Sequence, residues 1–466
     1  MRHSILGRAS RVLAVAALVG LAACKGLETP NYNGGDLGAL QNSPDRASLA
    51  AAVQGLQIGH RGYQSGELGV VSALGVLGRE SYVLDVADPR FVNELLQGPL
   101  NAGGFGAGLW AAPYSNIRLA NIVLDGVASV GTDQMTDGEK AATVGFVKTI
   151  QALDFLVVVE TRWDNCDGSL GCPIDVGTDV DQGPAPAATK DEVFAHIKQL
   201  LDDADQELQA AASAGAGFPF DLSSGFDGFD TPADFDMANR AIAARVDVYT
   251  DAWSDALTAL SQSFVDSAAT FDLGIYDVYG TGSGDATNGL YQPSDDPNIR
   301  ANPFDSLAVQ YQTSGDPDAR YMRKIREITQ RSFSGPGSHI GFDMYTSLDA
   351  PIPIIRNEEL ILLRAEANIG LGNLDLARQD INWVRTQSGN LPPIATAFAN
   401  HDEALDALLY EKHYSLLFEG GHRWIDLRHY GLLTDPNYAP QGSAYPNESY
   451  MNTQYPIPLD EQNARQ

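Results

Sequence analysis

Residues 356–385 read RNEELILLRAEANIGLGNLDLARQDINWVR. Apolar side chains recur at intervals of three and four residues on both sides of a short segment, 370–373, made of Gly, Leu, Gly and Asn. Such a period is typical of amphipathic helices, and glycine with asparagine favours a turn between them. The small residues Ala365 and Ala377 flank this turn, so the two helices can approach closely. The stretch therefore predicts a helical hairpin, which we expect to run over about 356–387.

A second stretch, residues 238–266, has the same design and is expected to turn near Thr250 and Asp251. Each hairpin resembles a tetratricopeptide unit, whose apolar faces stay exposed until neighbouring units stack on them. The spacing of Thr136 with Glu139 also fits a capping box, which predicts a further helix start. We expect a mainly α fold with few short strands, with helical hairpins over about 110–270 and 351–430.

Two regions, residues 80–109 and 271–350, have a different texture. Turn-forming residues recur every few positions, and the apolar runs are short. Long irregular segments inside a compact domain are usually functional or disordered. Aromatic residues spread along the second region favour an ordered binding surface; they are Tyr276, Tyr279, Tyr291, Phe304 and Tyr311.

The N-terminus has the pattern of an export signal. Basic residues, including Arg8 and Arg11, precede twelve apolar or small residues at 12–23. This run is too short to span a bilayer as a helix, so it is a targeting segment. It ends in Leu-Ala-Ala-Cys, which resembles the lipobox of bacterial lipoproteins, and the resemblance implies cleavage before Cys24 and lipidation of that residue. Residues 24–45, rich in Gly, Asn and Pro, are then expected to be a tether, followed by one domain over 46–466.

The charge of the chain argues against nucleic acid as a partner. Its 466 residues contain 60 acidic and 30 basic side chains, for a net charge of −30. A phosphate backbone is bound mainly by Lys and Arg, so this imbalance excludes the class. Neutral and cationic ligands remain open.

Cys166 and Cys172 are the cysteines that remain after Cys24 is assigned to lipid. An even pair in an exported chain is best interpreted as a disulfide. The alternative, two thiolates on a metal ion, lacks the second pair of ligands that zinc needs.

The block 417–431, LFEGGHRWIDLRHYG, gathers charges around one tryptophan and invites a catalytic or metal interpretation. In a helix, Arg428 lies four residues from Trp424 and can cover its indole ring. Buried charges require partners, so we interpret the block as a structural brace. Its members are Glu419, His422, Arg423, Trp424, Asp426 and Arg428.

Sequence motifs for chemistry are missing from the chain. There is no His-Glu-x-x-His pair for zinc and no Gly-x-Ser-x-Gly elbow for a serine nucleophile. Acid pairs for glycoside hydrolysis could be chosen only arbitrarily among 60 carboxylates. The sequence indicates no metal, no cofactor and no catalytic residue.

Several motifs, taken in order, resemble one family. They are the lipobox; Trp110, Tyr114, Ile117 and Asn121 in the pattern W…Y..I..AN; PAPAATKDEVF at 184–194; RAIAARVDVY at 240–249; RNEELILLRAEANIGLG at 356–372; EKHYSLLFEGGHRWIDLRHYG at 411–431; and YPIPLDEQNA at 455–464. Together they are similar to the SusD/RagB-like nutrient-binding lipoproteins of the bacterial outer membrane. The resemblance extends from residue 21 to the C-terminus.

The resemblance implies a protein anchored on the outer membrane and exposed at the cell surface. It would bind an oligosaccharide or a peptide, act as a lid on a SusC-like TonB-dependent transporter and pass the ligand inward without chemistry. Loop location and residue type select six candidate ligand-binding residues: Tyr82, Arg90, Phe91, Asn93, Tyr279 and Tyr291. Trp163 is a further possibility. Trp110, Trp253 and Trp383 lie in helical patterns and are predicted to be core.

Two functions of other classes stay open. A scaffold lipoprotein would hold periplasmic partner proteins through its helical hairpins. An exported glycan hydrolase would turn over its substrate.

Overall fold

The computed structural model of the chain describes residues 37–179, 183–438 and 451–466. Within these ranges the chain forms fifteen α-helices and six short strands. The helices are α1 (Leu37–Asn42), α2 (Arg46–Arg61), α3 (Val70–Leu77), α4 (Ala111–Ser129), α5 (Asp137–Arg162), α6 (Lys190–Ser213), α7 (Pro232–Tyr249), α8 (Trp253–Gln262), α9 (Pro303–Leu307), α10 (Ala319–Lys324), α11 (Asn357–Gly370), α12 (Leu374–Gln387), α13 (His401–Ser415), α14 (His422–His429) and α15 (Leu459–Ala464). The strands are β1 (Ser81–Val83), β2 (Gly274–Asp277), β3 (Ile299–Ala301), β4 (Ile325–Ser332), β5 (Gly337–Phe342) and β6 (Ile352–Arg356). The predicted mainly α fold with few short strands is confirmed.

Both predicted hairpins form. α7 and α8 turn around Thr250, and α11 and α12 turn after Gly370. The hairpins pack on each other where Gly370 meets the ring of Trp253: a Cβ on this glycine would lie 2.4 Å from ring atoms. The absence of a side chain at 370 therefore sets how closely the hairpins approach.

The longest helix, α5, lies at the centre of the helical part. It begins at the predicted capping box, in which Thr136 and Glu139 exchange hydrogen bonds. The helical segment 137–165 is long and apolar enough to cross a membrane, but 89% of its apolar 18-residue stretch is buried inside the protein. α4 and α6 pack along this helix, so its hydrophobicity serves the core of the fold.

The strands form three separate antiparallel pairs, β1–β3, β2–β6 and β4–β5. All of them lie in the two regions predicted to be rich in loops or directly after the second one. In the first pair, Val83 at the end of β1 is opposite Ile299 at the start of β3. The chain that leaves β1 and the chain that enters β3 therefore meet at one end of this pair.

One boundary and the burial of one tryptophan differ from the prediction. Residues 37–45, assigned to the tether, include helix α1, and Leu40 is buried against the core. Trp383, predicted to be core, is 39% exposed on α12, whereas Trp110 is buried and Trp253 half-buried. A single apolar residue on an amphipathic helix does not reveal which side the rest of the fold covers. The signal segment 1–23 and the lipidation site Cys24 lie outside the described residues.

Candidate functional site

Three of the predicted ligand-binding aromatics are buried, which corrects the prediction for them. Tyr82 is 3% exposed, Phe91 5% and Tyr279 7%. Phe91 packs on Phe105 with ring centroids 4.9 Å apart, and the Tyr279 hydroxyl donates to the carbonyl of Arg61 at 3.1 Å. Their ring faces are covered by protein, so they stabilise the loops and cannot present a platform to a ligand.

The other three candidates reach the surface: Arg90 and Asn93 are exposed, and Tyr291 is half-buried. Arg90 pairs with Asp88, with Nη2 2.6 Å from Oδ2, and its guanidinium lies 4.6 Å from the centroid of Phe105. The carboxylate of Asp88 raises the pKa of this arginine. Arg90 is therefore a held cation on an exposed loop.

The β1–β3 pair brings these loops together. Arg90 and Asn93 follow β1, Tyr291 precedes β3, and the pairing of Val83 with Ile299 places both segments at the same end. Leu84 continues the contact by donating its N–H to the carbonyl of Asn298 at 2.9 Å. We call this end the loop face and define it as residues 84–93 and 291–298 with Arg331 of β4.

Arg331 fastens the loop face. Its Nη1 donates to the carbonyl of Leu84 and to Oδ1 of Asn298, both at 3.0 Å, and its Nη2 lies 2.6 Å from Oδ2 of Asp296. The amide of Asn298 in turn donates to Glu67 at 3.0 Å. The loop face is therefore a hydrogen-bonded surface with charges of both signs, suited to orienting a polar ligand.

A cleft of about 540 Å³ opens beside α4. Trp110 and Tyr114 line it with ring centroids 4.7 Å apart, together with Arg118 and Glu461. Its far wall comes from the segment that follows the disulfide between Cys166 and Cys172. The sequence marked Trp110 and Tyr114 only as the start of a helix, because their spacing does not show that a cleft lies next to them.

A smaller pocket of about 240 Å³, the α2 pocket, lies between α2, residues 221–226 and β2. Ile58 and Arg61 of α2, Leu222, Phe226 and Asp277 are among its lining residues. Asp277 was not singled out from the sequence. The signal that could have found it is an aspartate at an inward position of a strand, where alternation predicts an apolar residue.

Behind the α2 pocket lies a buried polar group. Asp154 of α5 accepts hydrogen bonds from His60 Nδ1 at 2.8 Å, from Asn116 Nδ2 at 2.7 Å and from the Tyr63 hydroxyl. His60 Nε2 lies 3.9 Å from the carboxylate of Asp277. Burial opposes the charge on His60, but Asp277 and Asp154 together outweigh it and raise the pKa of the imidazole. Burial raises the pKa of Asp277 to about 6.

The predicted brace is a buried network. Glu419 accepts hydrogen bonds from Lys324 Nζ at 2.6 Å and Arg356 Nε at 2.8 Å, while Asp426 accepts from Lys412 Nζ at 2.6 Å. The acids of the block are thus neutralised by cations from other elements. Arg423 and Arg428 of the block instead donate to carbonyls of residues 438 and 453.

Trp424 lies at the centre of this network and is completely buried. Its Nε1 donates to the carbonyl of Asn452 at 2.9 Å, and the Arg428 guanidinium lies 4.3 Å from its ring centroid and 4.1 Å from that of Trp163. Burial lowers the pKa of His422 to about 4, so this imidazole is neutral at pH 7. No group of three His, Cys, Asp or Glu side chains in the described parts of the chain is arranged to hold a metal ion. These contacts fit the predicted role of a structural brace.

Residues 310–464 match the sequence model of the SusD family. No curated protein sequence matches the chain.

The fold is similar to that of several solved structures. A SusD superfamily protein from Bacteroides vulgatus is 15% identical, with a TM-score of 0.66 and coverage of 90% of this chain and 97% of that one. A laminarin-binding SusD-like protein is 17% identical, with a TM-score of 0.65 and coverage of 90% and 98%. A SusD-like carbohydrate-binding protein from Bacteroides fragilis is 15% identical, with a TM-score of 0.66 and coverage of 91% and 99%. The fold of the chain is therefore similar to that of SusD-like proteins, and its C-terminal third matches the SusD family model.

Proposed function

We propose that the chain binds an oligosaccharide at its loop face and delivers it, unaltered, to a SusC-like TonB-dependent transporter of the outer membrane. The observation that carries the proposal is the junction of two loops at one end of the β1–β3 pair. One loop leads to exposed Arg90 and Asn93, and the other comes from half-buried Tyr291. The fold supports it, because similar structures include a laminarin-binding protein and a carbohydrate-binding protein. A peptide is the alternative ligand.

The loop face suits this task physically. Recognition of a sugar needs hydrogen-bonding groups held in fixed positions and an aromatic surface with a polar tip. Arg90 is held by Asp88, and the loops are fastened by Arg331. Because these groups are in place before a ligand arrives, binding costs less conformational entropy.

Ligand binding can be tested with a panel of glycans that includes laminarin, with peptides as a second arm. Tyr291→Ala and the double variant Arg90→Ala/Asn93→Ala should each weaken binding of the retained ligand about tenfold, the equivalent of about 1.4 kcal/mol, in isothermal titration calorimetry. Tyr82→Phe is the control, because this buried ring lies in β1 and is not exposed to a ligand. Unchanged affinity in both test variants would remove the loop face from the proposal.

The absence of chemistry is part of the proposal and has its own measurement. After prolonged incubation with the protein, the retained glycan should elute from a sizing column at its original length. Shortened products would instead support the alternative of an exported glycan hydrolase.

The proposed anchor depends on Cys24. In cells, the protein should fractionate with the outer membrane, and Cys24→Ala should release it from the membrane fraction. Mass spectrometry of the N-terminal peptide should show acyl chains on this cysteine. An unmodified cysteine in the mature protein would contradict the anchor.

A scaffold for partner proteins remains the second candidate, and one observation favours it. Leu376 and Trp383, seven residues apart on α12, are 50% and 39% exposed. Exposed apolar side chains that share a helix face can form part of a protein contact. Copurification distinguishes the two functions: capture of a barrel transporter supports delivery, and capture of periplasmic proteins without a transporter supports the scaffold.

A further inference from the structure

Asp277 is the least satisfied charge near the α2 pocket. It ends β2, where Ile275 and Asp277 point into the fold. Its side chain is 7% exposed, and no described residue donates a hydrogen bond to its carboxylate. The nearest charged group is His60 Nε2, at 3.9 Å. A buried carboxylate without a donor is costly, so this position requires an explanation.

The neighbouring cations pair mainly with groups other than Asp277, although the buried Nε of Arg61 has no hydrogen-bond partner. Arg61 donates from Nη1 to the carbonyl of Val278 at 2.5 Å and pairs with Asp285. His60 donates from Nδ1 to Asp154 and lies between two carboxylates. Even with a protonated imidazole, the group of His60, Asp154 and Asp277 carries one net negative charge.

The α2 pocket gives access to this charge. Asp277 and His60 line it together with the apolar side chains of Ile58, Leu222 and Phe226. Its volume of about 240 Å³ lies below the roughly 300–1,000 Å³ of pockets for drug-sized ligands. A ligand that fits must be small, with an apolar body and a group that satisfies a carboxylate.

We propose that the α2 pocket binds the ammonium group of a small organic cation, with the nitrogen beside the carboxylate of Asp277 and the hydrocarbon part against Ile58, Leu222 and Phe226. An ammonium carries three N–H donors and no acceptor, so it complements a carboxylate that accepts no hydrogen bond from the protein. It also neutralises the net charge of the group behind the pocket. An anion would add to that charge.

This inference is independent of glycan binding at the loop face, because the two sites share no residue. Loss of glycan binding in Tyr291→Ala therefore does not test the α2 pocket, and loss of cation binding in Asp277→Asn does not test the loop face. An ammonium group can come from an aliphatic amine or from an amino sugar, and the probes are chosen to separate these sources.

The test titrates the full chain at pH 7, where both amines are mostly protonated and Asp277, with a pKa of about 6, is mostly ionised. The probes are n-butylammonium and glucosamine, each compared with a neutral partner, 1-butanol or glucose, by calorimetry and ligand-observed NMR. Saturable binding of at least one cation, at least tenfold tighter than its neutral partner, is expected. The cation that binds more tightly identifies the source. Equal affinity of cation and neutral partner for both pairs would overturn the proposal.

Asp277→Asn should weaken binding of the preferred cation at least tenfold. Asp221→Asn is the matched control, because it removes the same charge from an exposed acid that also lines the pocket. The affinity of this variant for the cation should stay within twofold of the wild-type value. Equal losses in the two variants would show that the cation is attracted only by the acidity of the chain, and would also overturn the proposal.

Ile58→Trp keeps the test decisive if Asp277→Asn does not fold. Ile58 is 57% exposed and lines the pocket, so a larger side chain there should fill the pocket without disturbing the buried group. Binding of the cation should fall at least tenfold, while circular dichroism and the melting temperature stay those of the wild-type protein. Unchanged cation binding in a folded Ile58→Trp variant would place the cation elsewhere.

Discussion

Glu358 and Glu160 are both buried, yet their surroundings treat their charges in opposite ways. Glu358 accepts hydrogen bonds from Arg356 Nη1 at 2.5 Å and Ser415 Oγ at 2.6 Å. Burial raises its pKa, but Arg356 and Arg320 outweigh burial and lower the pKa to about 2. Glu160 has no hydrogen-bond donor among the described residues, and burial raises its pKa to about 8.

The difference separates two kinds of buried charge. The network around Glu358 joins α10, α11, α13 and the brace, and its members are paired inside the protein. Glu160 lines a buried polar cavity of about 60 Å³ that it shares with His60 and Asp277. Paired charges hold the frame together, whereas Glu160 and Asp277, whose carboxylates accept no hydrogen bond from the described residues, lie at cavities that water or a ligand can enter.

The largest effect is expected from Arg356→Met. This arginine contacts Glu358 and Glu419, so its loss leaves two buried carboxylates with fewer partners. The free energy of unfolding should fall by about 3–5 kcal/mol, measured by urea denaturation. Arg46→Ala, which removes the exposed pair with Glu139, is the control and should cost less than about 1 kcal/mol. Similar losses of stability in both variants would show that the buried ion pairs of Arg356 contribute no more than the exposed pair of Arg46.

Glu358→Gln should give a smaller loss, about 2 kcal/mol at pH 7, with a defined pH dependence. The folded-state pKa of Glu358 lies below its unfolded value, so its contribution is present above the unfolded pKa. It is lost as the pH falls from about 4.5 towards 2. The difference in unfolding free energy between wild type and variant should therefore shrink between pH 7 and pH 3. A constant difference would show that the charge of Glu358 is not what stabilises the network.

The smallest effect, and one of opposite sign, is expected from Glu160→Gln. Its folded-state pKa is raised, so the wild-type protein loses stability as the pH rises from about 4.5 through 8. The neutral glutamine avoids this loss, and the variant should be more stable than wild type by about 1–3 kcal/mol at pH 8 and equally stable at pH 4. Urea denaturation at the two pH values measures this. A variant that is less stable at pH 8 would mean that Glu160 is paired.

Much of the helical frame could be predicted from the sequence, because its signals are local. The turn after Gly370, the capping box at Thr136 and the helix that carries Trp424 depend on residues a few positions apart. The brace could be inferred from the same spacing, since Arg428 lies four residues from Trp424. The cations that pair with its acids could not be inferred in this way, because Arg356 and Glu419 are 63 positions apart.

The loop residues show where local reasoning fails. The prediction that Tyr82, Phe91 and Tyr279 bind a ligand rests on aromatic rings in loops, yet all three are buried. Whether a loop ring faces solvent depends on which distant segment covers it, and that information is absent from composition. Alternation along β2 can mark Asp277 as an inward-facing aspartate, but only the packed structure reveals that its carboxylate has no hydrogen-bond donor.

The network at Arg356 also constrains how such a chain can evolve. Substitution of Arg356, Glu358 or Glu419 alone leaves a buried charge with fewer partners, so each single substitution gives a less stable protein. In relatives of this protein, residues aligned with these three should covary: either all keep their charges, or they become apolar together. An alignment deep enough to resolve correlated changes would read this signature directly.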